Sequence, residues 1–144
     1  MKENVKTYQT TDQCHECKGE CCRRMGCHFA PSDFKEIAFE YLKSKIDQGY
    51  ISIDWWETDH GPEYYLRMRH VGAPVVDPSW GGQCIMLTDI GCTFSFDERP
   101  LGGKALRPRA GAGGHCETDY SKFDSKEDWK EYHSVLEALV DYYR

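Results

Sequence analysis

Five of the eight cysteines in this chain fall between Cys14 and Cys27; the other three are Cys84, Cys92 and Cys116. A thiolate is at once a nucleophile, a redox partner and a soft metal ligand, so this density raises three kinds of chemistry together. A lone C-x-x-C pair such as Cys14 and Cys17 serves zinc ribbons and thioredoxin-like redox sites alike. Here Cys21 extends the pair. Positions 14, 17 and 21 stand at i, i+3 and i+7, so on a helix the three sulfurs share one face. Three converging thiolates make a ligand set rather than a redox pair.

Cys22 carries a second message. Neighbouring side chains diverge, so Cys21 and Cys22 do not both serve one four-coordinate ion; Cys22 serves a second metal, bridges, or turns inward. Cys84, Cys92 and Cys116 must then fold back to complete the coordination, and Cys27 is the eighth candidate. Eight thiols divide into two four-cysteine zinc sites. They also suit a single [4Fe-4S] cluster with spare cysteines. The triad spacing reverses that of radical enzymes holding such a cluster, whose barrel needs a far longer chain. Against both stands the reading of buried cysteines as small hydrophobes, which five within fourteen residues argue against. A closed four-thiolate zinc site is usually a folding staple, so no catalytic residue follows from it.

The histidines beside the cysteines are His15, His28 and His115; each has the chemistry to ligate a metal or bond a thiolate, and an exposed neighbour is the plainer expectation. His60 and His70 read as turn and strand-surface residues, and His133 lies off the apolar stripe of a helix. Gly111, Gly113 and Gly114 lack the Gly-Lys-Ser/Thr of a phosphate loop. The aromatic residues Tyr50, Trp55, Trp56, Tyr64 and Tyr65 read as core before ligand platform.

The elements that must position these groups are legible in part. Pro31, Ser32, Asp33 and Glu36 mark a helix start, an apolar stripe runs from Phe34 through Ile46, and Gly49 ends it; the spacing predicts a helix over 32–47. Strand character over 50–54 and 63–71, with turn residues Asp59 to Pro62 between, predicts a β-hairpin. Residues 72–83 and 99–115, rich in Gly and Pro, read as irregular, and Cys84 to Cys92 as a short apolar piece with a turn at 89–91. Ser125 with Asp128 resembles a capping box for a C-terminal helix whose stripe is Trp129, Tyr132, Leu136, Leu139, Val140 and Tyr143. The expectation is a small α+β single domain with two amphipathic helices, a β-hairpin and metal-organised irregular loops. Residues 1–13 form a polar lead-in and 14–144 the cysteine-cluster domain.

Composition narrows the chemistry. With 144 residues, 40% of them hydrophobic, the chain builds a modest core and gains from added cross-links. Met1 to Thr11 is polar and lacks the apolar run of a secretory signal, and no stretch matches a membrane span. A cytoplasmic chain keeps its thiols reduced, which favours metal over disulfide. The formal charge of −6 disfavours nucleic acid, leaving room for no more than a local basic patch around Arg99, Lys104, Arg107 and Arg109.

Cys14-x-x-Cys17 leading to Cys21-Cys22, then Cys84-Ile85-Met86-Leu87, Gly91-Cys92, Arg99-Pro100 and a closing Cys116, resembles the YkgJ-type cysteine-cluster family of zinc- or iron-chelating domains. The resemblance spans about a hundred residues, the middle unmatched. Three residues rather than two precede the paired cysteines, and Leu101 to His115 separate Arg-Pro from Cys116. A similar cluster occurs in flagellin lysine methylases, but no cofactor-binding domain accompanies it here. The resemblance implies chelation, zinc favoured and iron or an iron–sulfur cluster the alternative. It implies a structural role or presentation to a protein or peptide partner. Redox or peptide-modifying activity belongs to the iron reading, and a thiol-redox protein without metal is the remaining class.

Overall fold

The computed structural model describes residues 28–78 and 120–144, together with Ile85 and the two-residue segments 87–88, 91–92, 106–107 and 117–118. Its centre is a hairpin of β1 (Ile51–Thr58) and β2 (Gly61–Met68), antiparallel with Ile51 opposite Met68 and Thr58 opposite Gly61. Isoleucines and aromatic residues recur along both strands, side chains suited to a pleated, half-buried surface. Asp59 and His60 alone connect them. The Thr58 hydroxyl donates to the Gly61 carbonyl at 2.7 Å and accepts the His60 N–H at 3.2 Å, while Gly61 takes a φ of 105° that a side chain would resist. The expected turn is present. The first strand runs past residue 54 to Thr58, and the second lies at 61–68 rather than 63–71.

Two further segments lengthen this ribbon sideways. His28 bridges Arg67 in the antiparallel sense, and the Phe29 N–H donates to the Leu66 carbonyl at 2.9 Å. On the other edge Val76 bridges Ile53 in parallel; the Ile53 N–H donates to Val75 O at 2.6 Å and the Asp77 N–H to Ile53 O at 3.0 Å. The described part of 72–83 is therefore docked on β1, not merely irregular. Elsewhere β3 (Leu87–Thr88) pairs antiparallel with β4 (Gly91–Cys92); residues 89 and 90, in the stretch where the sequence predicts a turn, lie outside the described residues. β5 (Leu106–Arg107) pairs with β6 (Glu117–Thr118), placing a strand within the stretch read as loop.

Opposed residues on antiparallel strands share a face. Ile51, Ile53 and Trp55 thus lie with Met68, Leu66 and Tyr64, and this side receives the helices. Leu42 and Ile46 come from α1 (Phe39–Ile46), Trp129 ends α2 (Lys122–Trp129), and Leu136, Leu139 and Val140 come from α3 (His133–Tyr143). They form one cluster with Ile51, Ile53, Leu66 and Met68, each at most 2% exposed. At roughly 1.5–3 kcal/mol per fully buried large side chain, this cluster is the principal source of stability among the described residues. The result is the α+β domain expected: a hairpin with a helical region before it and another after.

Two helix boundaries differ from expectation for one reason, tertiary contact. The helix predicted over 32–47 is confined to Phe39–Ile46; Pro31–Asp33 makes a short 3-10 turn, and Phe34 is extended at φ −113°, ψ 142°. Extending there places Phe34 against Phe29 and Trp129, with ring centroids 5.3 and 5.8 Å away. At the C-terminal helix the cap is Ser121 with Asp124, not Ser125 with Asp128. Ser125 is buried inside α2 and donates to the Phe29 carbonyl at 2.7 Å, beside a second bond from the Trp129 indole N–H at 2.9 Å. Asp128 accepts the Tyr120 hydroxyl at 2.7 Å. A 3-10 turn, Lys130–Tyr132, joins α2 to α3. Among the described residues no helix is long and apolar enough to cross a membrane.

Candidate functional site

The second face of the ribbon is buried and polar. Register puts Ser52 opposite Arg67 and Asp54 opposite Tyr65, and the bridge sets His28 opposite Arg67 from the other side. Arg67, 1% exposed, is the hub. Its Nε donates to Asp54 Oδ2 at 3.0 Å, its Nη2 to Asp77 Oδ2 at 2.8 Å and to the Asp77 carbonyl at 2.9 Å, and its Nη1 to the Met68 carbonyl at 3.1 Å. Asp54 also accepts the Tyr65 hydroxyl at 2.9 Å and the Trp55 N–H at 2.6 Å. A planar guanidinium suits this place because its donors are fixed in a fork that two carboxylates can meet at once. Ser52 completes the docking of the next segment by donating to Pro74 O at 2.8 Å.

Burial sets the electrostatics of this face. It pushes the Asp54 carboxyl above its usual range, while the Arg67 charge and the bonds from Trp55 and Tyr65 pull it back. It also pushes the Tyr65 phenol up, further raised by Asp54. His28, 5% exposed, is held down to about 3 by burial first and then by the positive charges of Arg67 and Lys122 and the neighbouring His70. His70 is lowered by burial and by Arg67. Both imidazoles are therefore neutral at pH 7. This corrects two expectations: His28 is not an exposed neighbour of the cysteines, and His70, 3% exposed, is not a strand-surface residue. His60 does sit in the exposed turn, and His133 stacks on Tyr64 off the stripe.

The predicted ligands fall mostly elsewhere in the chain. Cys92 lies in β4, paired with Leu87. Cys14, Cys17, Cys21, Cys22, Cys27, Cys84 and Cys116 lie outside the described residues, as do His15 and His115. What the fold shows is where their chain neighbours go. His28, next after Cys27, bridges Arg67; Ile85, next after Cys84, donates its N–H to the Arg69 carbonyl at 2.9 Å. Two of the cysteine-bearing segments thus attach to chain positions only two residues apart, 67 and 69. Among the described residues, no group of three or more His, Cys, Asp or Glu side chains is arranged to hold a metal ion.

The sequence reading missed the Arg67 network. The signal available was an arginine and an aspartate each placed between apolar or aromatic residues, Arg67 between Leu66 and Met68 and Asp54 between Ile53 and Trp55, where a buried charge is tolerated only with a partner. A groove of about 470 Å³, lined by residues that include Phe34, Ile37 and Tyr132, takes no side chain from the polar face. No family model, curated protein or solved structure matches this chain.

Proposed function

We propose that the chain is a cytoplasmic metal-chelating protein whose cysteines hold zinc, with the centre serving structure or the presentation of a surface to a protein or peptide partner. The cysteine spacing carries the reading: Cys14, Cys17 and Cys21 as a same-face triad, completed by Cys22, Cys84, Cys92 and Cys116, with Cys27 the eighth candidate. The resemblance to the YkgJ-type family points the same way. The attachment of the segments after Cys27 and Cys84 to adjoining positions near the end of β2 supports it, since a site built from distant cysteines needs their segments to return to one place.

Elemental analysis with a visible spectrum, on protein purified without oxygen, tests the reading. A colourless protein with at least one zinc per chain is expected. A brown protein absorbing in the visible range establishes the iron–sulfur alternative instead. Less than one metal per chain removes both and leaves a thiol-redox protein. Chelation is expected to disorder the cysteine-bearing loops before the hairpin and helices, because thiolate coordination is lost while the apolar cluster stays intact.

A further inference from the structure

We propose that the groove of about 470 Å³ beside Phe34, Ile37 and Tyr132 is a docking site for an extended basic peptide segment, one of whose lysine or arginine side chains lies in it. None of the described residues that line it is a cysteine, so the inference is independent of the chelation proposed above. The groove originates in the break of the helix expected over 32–47. Because Phe34 leaves the helical path, residues 35–38 belong to neither a helix nor a strand. The backbone is extended at both ends of this stretch, at Phe34 (φ −113°, ψ 142°) and at Ala38 (φ −136°, ψ 149°). Among the described residues the N–H groups of Lys35, Glu36 and Ile37 meet no acceptor. They are available to the carbonyls of a second chain, as the groups of an unpaired strand edge are.

The walls define the side chain that fits. Phe34 and Tyr132 each pack against the fully buried ring of Trp129, at 5.8 and 6.0 Å between centroids, so the apolar wall is in place before any partner arrives. Glu36 and Glu131 line the groove with a single cation, Lys35. Both carboxylates are exposed, and among the described residues neither makes a hydrogen bond or an ion pair. Glu63 and Glu127 differ in being held by Lys126 and Lys130. A long cationic side chain satisfies both features of the groove. Its methylene stem lies along Phe34, Ile37 and Tyr132 while its charged head reaches Glu36 and Glu131. An acidic side chain would meet two like charges for one opposite. A purely apolar one would strip water from the carboxylates and offer them nothing in return. The formal charge of −6 also favours the approach of a basic partner.

The test challenges the immobilised full chain with pools of random octapeptides, each pool carrying one fixed residue at its centre. The arginine and lysine pools are expected to be retained about fivefold or more over the glutamate and leucine pools. E36Q/E131Q, which alters only exposed side chains, is expected to lose that preference and keep the circular dichroism of the unsubstituted chain. D141N, near the end of α3, is expected to keep the preference. In isotope-labelled chain, the arginine pool is expected to shift the amide signals of Lys35, Glu36 and Ile37. Equal retention of all pools, retention of none, or a preference for glutamate or leucine overturns the inference. So does a basic preference that survives in E36Q/E131Q, which would place binding elsewhere on the acidic surface. Self-association of the chain that shifts the same three amides would make the groove an interface between copies and would overturn it too. Should E36Q/E131Q fail to fold, the amide shifts on the unsubstituted chain decide: shifts at 35–37 support the inference, and shifts elsewhere overturn it.

Discussion

The hairpin has two buried faces held by opposite means. On one, Ile51, Ile53, Leu66 and Met68 meet the helices through apolar contact, which is non-directional and tolerant of small shifts. On the other, Arg67 meets Asp54 and Asp77 through bonds of 2.8–3.0 Å, which fix geometry but carry the desolvation of three charged groups. Apolar packing accounts for stability. The charged network accounts for register, because Asp77 comes from a segment that the hairpin alone does not order.

The two faces should therefore respond differently to loss of a single side chain. Arg67→Met leaves two carboxylates buried without their cation, and urea unfolding should show a loss of about 3–5 kcal/mol. A loss below about 1 kcal/mol would mean that water already reaches Asp54 and Asp77, and the contrast between the faces would fail. Leu139→Ala on the apolar side opens a cavity in the α3 contact and should cost about 2–5 kcal/mol by the same measurement. It should leave the docking of 74–77 intact, whereas Arg67→Met should raise amide exchange at Ile53 and Asp77, whose N–H groups bond across that junction.

The smallest effect concerns the rim of the apolar side. Tyr143 donates to Asp47 at 2.6 Å and Lys43 donates to the same carboxyl at 2.9 Å, and these bonds, Tyr143 first, hold Asp47 below the ordinary carboxylate range. A carboxyl lowered by folding stabilises the fold above its unfolded value, and that contribution disappears as pH falls through the folded value. Tyr143→Phe should therefore raise the Asp47 titration midpoint measured by NMR and make the acid limb of the stability curve shallower. An unchanged midpoint would show that Lys43 alone sets it.

Local signals proved sound wherever one element sufficed to satisfy itself. The turn at Asp59 and His60, the alternation of Tyr64, Leu66 and Met68 against Tyr65 and Arg67, and the stripe through Leu136, Leu139 and Val140 all need only near neighbours. Phe34 and Ser125 show where such signals stop. Each has good helical credentials, yet Phe34 leaves the helix to reach Phe29 and Trp129, and Ser125 spends its hydroxyl on the Phe29 carbonyl instead of a helix end.

From its residues alone, this chain specifies a hairpin between helical regions and a set of thiols whose spacing suits chelation, because period, turn chemistry and donor type are local properties. Tertiary structure alone decided that Arg67 is a buried hub and that His28 lies opposite it, enclosed and neutral. Asp54 and Asp77 stand thirteen and ten residues from Arg67, and His28 thirty-nine, in sequence. No pattern along the chain encodes which charges will share a face until the strands pair. That pairing gives each buried charge its partner.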